Sequence, residues 1–140
     1  MRIIEQRFLR GPNLYAATPC LLAVADTAQA SPAEHLAGLG ARLLALLPGM
    51  SPETAARLSD CASAAEALEP VTMELQRLAG APGAFSQTVI DPARPDRLRV
   101  VCGYALEQVA GAALRSAREL IGALLAHEAF DLDTAVEELR

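Results

Sequence analysis

The chain has 140 residues, a length that suits one domain, residues 1–140, with a single hydrophobic core. Hydrophobic residues make up 52% of it and charged residues 21%, which predicts a globular rather than a disordered chain. The formal net charge is −5, and the basic residues are arginines scattered along the sequence. A nucleic-acid surface is therefore not expected, because phosphate contacts need clustered positive charge.

Several other function classes find little support in the sequence. No apolar run approaches the ~18 residues of a membrane span, and the start MRIIEQRFLRGPN carries charges inside its apolar stretch, unlike a signal peptide. The three cysteines, Cys20, Cys61 and Cys102, form no C-x-x-C pair and are expected to be reduced and buried, as in a cytoplasmic protein. The two histidines, His35 and His127, are far apart in sequence, so few ligands are available for a histidine-based metal site. There is no nucleophile elbow and no phosphate-binding glycine loop.

Two strands are predicted at the start of the chain. Arg2 to Arg10 is rich in branched and aromatic residues and is followed by the turn formers Gly11, Pro12 and Asn13. Residues 20–27 form a short apolar run of strand length, and the brief connection favours antiparallel pairing with the first strand.

Three serines mark predicted helix starts. Ser31 and Ser63 are each followed three residues later by glutamate, which forms a capping box, and Ser51 precedes a proline at the first helical position. These helices are predicted to end at the PGM stretch, near Asp60 and at Gly80. The start at Ser31 also includes Pro32 and Glu34. The apolar positions at helical spacing are Leu36, Leu39, Leu43 and Leu46 in the first helix, and Leu68, Val71, Leu75 and Leu78 in the third.

A second hairpin and two helices complete the predicted order. FSQTVID and LRVVCGY flank a turn-rich connection, and in the second of these Leu98, Val100, Cys102 and Tyr104 alternate with Arg99, Val101 and Gly103, which predicts one face on the core. A long helix follows with Leu106, Val109, Ala113, Ala117, Leu120 and Leu124 on its inner stripe, then a short helix capped by Asp131 or Asp133. The order predicts an α+β domain, an antiparallel sheet of about four strands in two hairpins with helices packed on one face.

The third helix contains an unusual proline. Pro70 lies well inside the predicted helix, where it removes a hydrogen bond and clashes with the preceding turn at a cost of ~3 kcal/mol. The helix therefore either starts near Glu69 or is kinked there. The polar residues of this helix, Glu66, Glu69, Glu74 and Gln76, are explained on composition alone as a solvated face.

Three segments together resemble one family. FLRGPNLYA at the start, MELQRLAGAPGAFSQT in the middle and YALEQVAGAALRSARELIGALLA near the end are similar to the amino-terminal domain of cyanophycin synthetases, in order and over essentially the whole chain. The resemblance implies a cytoplasmic, ATP-dependent amide ligase that builds a storage polymer with a poly-aspartate backbone and arginine on each side chain. The ATP-grasp and Mur-ligase-like domains of such ligases are absent from these residues, so ATP and Mg²⁺ are expected only there and this chain alone is expected to hold no cofactor and no metal. Its end, AFDLDTAVEELR, resembles the edge of the ATP-grasp domain.

The resemblance also gives a meaning to Pro70. Some relatives carry an H-x-x-E-H helix that binds Zn²⁺ and clips polymer into primers. Alignment through MELQRLAG places that motif on Glu66 to Pro70, with the glutamate kept as Glu69 and both histidines replaced. Glu107 matches a further acidic ligand position. Since carboxylates without an imidazole make a poor Zn²⁺ site, the resemblance predicts a degenerate metal site with no catalytic residue.

Three functional hypotheses remain open. The first is a scaffolding domain that binds the zwitterionic polymer, or its aspartate and arginine units, beside the ATP-grasp domain. The second is a metallohydrolase with the ligand set Glu66, Glu69 and Glu107, and the third is an interaction module that docks on neighbouring domains or forms a homo-oligomer. For Arg10, a tight turn with an exposed arginine competes with an arginine placed to hold a carboxylate. The polymer-binding candidates, expected on the sheet side, are Arg10, Asn13, Arg77, Arg94, Arg97 and Arg99.

Overall fold

The structure, a computed structural model, describes residues 1–28, 30 and 38–140. In these residues the chain forms four strands and five helices. In chain order they are β1 (Arg2–Leu9), β2 (Cys20–Asp26), α1 (Leu39–Leu46), α2 (Pro52–Ser59), α3 (Ala64–Leu78), β3 (Ser86–Asp91), β4 (Arg94–Gly103), α4 (Glu107–Leu125) and α5 (Leu132–Leu139).

The strands form one antiparallel sheet in the order β1-β2-β4-β3. Two hairpins, β1–β2 and β3–β4, meet through antiparallel pairing of β2 with β4, in which Leu21 lies opposite Cys102. The register of the edge strand β1 shifts between Ile3 and Glu5, an irregularity typical of exposed sheet edges. The predicted α+β fold with two hairpins is confirmed.

The main core lies between one face of the sheet and the helices. Leu21 and Val100 of the sheet belong to the same buried cluster as Leu68 of α3 and Leu114 of α4. The sequence predicted one face of the β3–β4 hairpin on the core, and the opposite face is also buried at its centre, where Val101 is fully buried. Its cluster contains Cys20 and Leu22, covered by Leu9, Tyr15 and Phe85. The strand β4 is thus buried on both faces over its last residues.

Local capping signals set most helix starts. The Ser63 hydroxyl accepts a hydrogen bond from the Glu66 amide at 3.3 Å, and the Glu66 carboxylate accepts one from the Ala62 amide at 3.0 Å, as a capping box requires. Ser51 caps α2 through the Thr54 amide at 3.2 Å. Asp131, not Asp133, caps α5.

The predicted starts of two helices have different outcomes. Leu106 was expected on the inner stripe of α4, but it precedes the helix in extended conformation and is largely exposed, so that prediction is wrong at this end. The predicted start of the first helix, with Ser31, Pro32, Glu34 and Leu36, lies outside the described residues, as does His35. Among the residues described, α1 begins at Leu39.

Two backbone approaches fix how the elements pack. A Cβ atom on Gly40 of α1 would lie 1.7 Å from the carbonyl oxygen of Leu58 in α2. A Cβ atom on Gly83, in the connection before β3, would lie 2.0 Å from the carbonyl oxygen of Gly103 at the end of β4. Only a residue without a side chain allows backbones this close.

Arginine side chains tie the ends of several helices to their neighbours. Arg42 of α1 donates to the Leu124 carbonyl in the last turn of α4 at 3.0 Å, and Arg140 donates to the Leu78 carbonyl at the end of α3 at 3.1 Å. Arg77 of α3 donates to the Pro48 carbonyl just after α1 at 2.6 Å. Carbonyls at helix ends lack helical donors and carry partial negative charge, so they attract guanidinium groups. Within the part of the chain that is described, no helix is long and apolar enough to cross a bilayer.

Candidate binding site

The helix α3 is buried along most of its length. It packs against β3 and β4 on one side and against α4 and α2 on others, and Glu69 and Gln76 are 1% and 0% exposed. The predicted solvated polar face is therefore wrong for Glu69, Glu74 and Gln76 and holds only for Glu66. Periodicity alone missed this, because it does not show how many neighbours surround a helix.

Pro70 lies inside α3, which begins at Ala64. The alternative in which the helix starts near Glu69 is wrong. Proline has no amide hydrogen, so the helical bond from residue 70 to the Glu66 carbonyl cannot form. The Pro70 ring is buried, and this packing offsets part of the cost of the missing bond.

Glu69 is paired with an arginine that the sequence analysis did not single out. The Arg57 guanidinium of α2 forms an ion pair with the Glu69 carboxylate, and the Thr88 hydroxyl of β3 donates to the same oxygen, Oε2, at 3.2 Å. The other oxygen, Oε1, is buried and makes no hydrogen bond within the described residues. A permanently charged guanidinium therefore occupies one side of the Glu69 carboxylate.

A second pair of the same kind lies further along α3. The Arg77 guanidinium donates through Nε to Oε2 of the buried Glu74 carboxylate at 2.8 Å, and its Nη2 lies 2.7 Å from the same oxygen. Arg77 belongs to the last turn of α3, and it lines a hollow together with Phe85 and with Ser86 of β3. Sequence spacing could have suggested this pair, since residues three apart on a helix are neighbours.

The two thiols near Glu69 are kept protonated. Burial, with a smaller contribution from the Glu66 carboxylate, raises the pKa of Cys61 to about 11. Burial and the Glu69 carboxylate also raise the pKa of Cys102 far above its usual range. Since the thiolate is the form that attacks electrophiles and binds metals, neither cysteine is prepared for catalysis at neutral pH. All three cysteines are free and buried.

The proposed carboxylate ligands do not form one cluster. In the described ranges, no three His, Cys, Asp or Glu side chains come together in a group able to hold a metal ion. Glu107 lies at the first position of α4, where it acts electrostatically on Tyr104. Glu69 instead faces Arg57 and Thr88, and Glu66 caps its own helix.

The remaining polymer-binding candidates, four arginines and Asn13, are distributed over the sheet and its turns. Arg10 and Arg94 are exposed, and Arg99 lies 3.6 Å from the Asp91 carboxylate on the neighbouring strand. The Arg97 Nε is buried without a hydrogen-bond partner in the described part of the chain. Asn13 accepts from the Tyr15 and Ala16 amides and donates to the Arg10 and Thr18 carbonyls. The Asn13 amide group therefore organises its own loop.

Two hollows lie beside α3. One, of about 370 Å³, lies beside Ser63, Glu66, Thr88 and Leu98. The other, of about 210 Å³, lies between α2, the second half of α3 and the connection before β3, and we call it the arginine groove. Its lining includes Thr54, Arg57, Met73, Glu74, Arg77 and Phe85.

Comparison with known proteins assigns the chain to a family. A family model described as the cyanophycin synthase-like N-terminal domain matches residues 21–126. The chain belongs to this family. The resemblance inferred from the sequence is thereby confirmed, and the match covers β2 from Leu21, both later strands, and all of α3 and α4. A search among curated proteins found no match.

Proposed function

We propose that this cyanophycin synthase-like domain binds the arginine–aspartate storage polymer and holds it for a cytoplasmic, ATP-dependent ligase, without catalysing a reaction itself. The observation that carries the proposal is the Glu66–Pro70 segment of this family member. In place of two imidazoles it has a capping glutamate and a proline, and the retained Glu69 is paired with Arg57. A binding role needs neither a bound metal nor a free general base.

The surface chemistry suits a zwitterionic ligand. A polymer with guanidinium and carboxylate groups can contact both signs of charge. This domain has a negative net charge and also exposes several arginine side chains. Arg10 and Arg94 are exposed at sheet turns, and Arg99 has a weakly held partner at 3.6 Å. We propose the ATP-grasp domain of such a ligase as the partner, and ATP and Mg²⁺ as ligands of the ligase domains only.

Direct binding tests the proposal. Purified cyanophycin is incubated with the chain and sedimented, and the protein remaining in solution is measured. We expect saturable co-sedimentation with the polymer and none with an uncharged polymer of similar size. A chain that stays in solution at every polymer concentration would contradict the proposal.

Metal content separates binding from hydrolysis. We expect protein purified without chelator to contain well under one equivalent of zinc, because imidazole ligands are missing at both motif positions. Elemental analysis measures this, and polymer cleavage is followed in parallel. Stoichiometric zinc together with cleavage that Glu69→Gln abolishes would establish the metallohydrolase instead.

A further inference from the structure

The arginine groove places two guanidinium groups beside one hollow. Arg57 contributes from α2 and Arg77 from the last turn of α3, and both line the same space of about 210 Å³. The two side chains are 50% and 36% exposed. They are therefore more accessible to a ligand than the carboxylates of Glu69 and Glu74, whose side chains are 1% and 6% exposed.

Each guanidinium group is held by an ion pair with a buried carboxylate. Glu69 and Glu74 are buried, and each pairs with its arginine. A side chain that is already ordered loses less rotamer freedom when a ligand binds, which improves affinity. The groove is thus preorganised by two carboxylates, of which Glu74 is itself part of the lining and Glu69 is not.

Both guanidinium groups keep nitrogen atoms that make no hydrogen bond to the described residues. A guanidinium carries five N–H donors. Arg57 uses Nη2 toward Glu69, which leaves Nε and Nη1 without a hydrogen-bond partner among the described residues. Arg77 uses Nε and Nη2, which leaves Nη1.

The rest of the lining favours a flat, charged group over water. Pro70, Met73 and Phe85 provide apolar walls, which strengthen the polar contacts made between them. The Thr54 hydroxyl accepts from Ser51 at 3.0 Å, so its own hydrogen is available to a ligand. A carboxylate matches these features, because it is planar and accepts parallel hydrogen bonds from guanidinium groups.

We infer that the arginine groove is a carboxylate-binding site and that it receives carboxylate groups of an aspartyl chain. The inference rests on the proposed function for the identity of that chain, whereas the chemistry of the site rests on the groove residues, above all Arg57 and Arg77. The inference adds Arg57 to the candidate polymer-binding residues, and it locates a binding site between α2 and α3.

The test measures binding of two probes, poly-L-aspartate and purified cyanophycin, to the whole chain at about 0.15 M salt. Arg57→Lys and Arg77→Lys keep the positive charge beside each buried glutamate, but they remove the planar guanidinium group that can donate two parallel hydrogen bonds to a carboxylate. We expect each substitution to weaken binding of poly-L-aspartate about fivefold. Arg118→Lys, at an exposed position of α4 outside the groove lining, is the matched control and should have no effect.

A second variant avoids the ion pairs altogether. Ala84 is exposed and lines the groove, so Ala84→Glu adds a competing carboxylate without removing any contact to Glu69 or Glu74. It should weaken binding of poly-L-aspartate about tenfold. Ala105→Glu, at an exposed site outside the groove lining, is its control.

The outcomes separate this inference from the proposed function. If both probes bind and no groove variant weakens them, the groove assignment fails while polymer binding stands. If poly-L-aspartate binds through Arg57 and Arg77 but cyanophycin does not bind, the groove stands and the proposed function fails. Binding of neither probe overturns both. Displacement of poly-L-aspartate by inorganic phosphate at concentrations where succinate has no effect would overturn the carboxylate assignment.

Discussion

At the scale of single residues, the pair between Arg57 and Glu69 determines the character of the site. Glu69 was identified from the sequence, whereas Arg57 was not, because it lies twelve residues earlier in a different helix and its segment reads as an ordinary short helix. Ser51 and Ser63 were predicted correctly as caps, since their partners are three residues away. Pairings set by chain neighbours can be read from a sequence, and pairings set by packing cannot.

Removal of the Arg57 charge should destabilise the chain. In Arg57→Ala, the buried Glu69 carboxylate loses its counter-charge, and we expect a loss of about 2 kcal/mol in the free energy of unfolding, less than for a fully buried pair because Arg57 is half-exposed. Urea unfolding measures it. In a double-mutant cycle with Glu69→Gln, the second substitution should recover most of the loss. Equal destabilisation by Arg57→Ala in both backgrounds would show that the pair contributes nothing.

The raised pKa of Cys61 predicts a pH effect on stability. A thiol with an ordinary pKa of 9.0 and a folded pKa of about 11 favours the folded state fully below pH 9, and this contribution is lost as the pH rises to 11 and beyond. The difference in unfolding free energy between the wild type and Cys61→Ala should therefore be constant up to about pH 9 and then decline. A difference that stays constant to pH 11 would contradict the shift. Native Cys61 should also react slowly with iodoacetamide at pH 8.

At the scale of elements, the helix layer depends on close backbone contact. The predicted helices and strands mostly appear where periodicity placed them, and the differences occur where neighbours change the environment. Val101 is buried because Tyr15 and Phe85 cover the second face of the sheet, and Leu106 is exposed because the chain has not yet entered α4. Neither effect is encoded in the local alternation of apolar residues.

Two glycines in helices should respond in opposite directions to the same substitution. Gly40→Ala places a methyl group on the Leu58 carbonyl oxygen and should cost about 3 kcal/mol, since backbone must move to accommodate it. Gly122→Ala in α4 meets no described atom within 4 Å and should stabilise the chain by about 0.5–1 kcal/mol through helix propensity. Thermal unfolding of both variants checks the prediction. A Gly40→Ala variant as stable as the wild type would show that α1 and α2 are not in contact.

At the scale of the whole molecule, the net charge of −5 opposes any polyanion at long range. The arginine groove attracts carboxylates locally, while the surrounding acidic surface repels a chain of them. A zwitterionic polymer experiences the attraction without that repulsion. The acidic composition, read first as evidence against nucleic acid, thus also favours the mixed-charge polymer over poly-aspartate.

This balance predicts opposite salt effects for the two probes. Raising the ionic strength from about 0.02 M to about 0.15 M shortens the screening length to about 8 Å. Affinity for poly-L-aspartate should increase because long-range repulsion is screened, whereas affinity for cyanophycin should fall because local ion pairs weaken. Titrations at the two ionic strengths measure this, with Arg118→Lys as a charge-neutral control. A poly-L-aspartate affinity that falls with salt would show that the groove outweighs the net charge.

The arginines that bind carbonyl groups at helix ends have a consequence for how this fold tolerates sequence change. Arg42, Arg77 and Arg140 donate to the main-chain oxygens of Leu124, Pro48 and Leu78. Every residue type supplies such an oxygen, so the accepting position can vary freely while the contact survives. Each of these links can be lost by mutation at one position only, whereas an ion pair between two side chains can be lost at either. The helix layer can thus drift in sequence without losing its cross-connections.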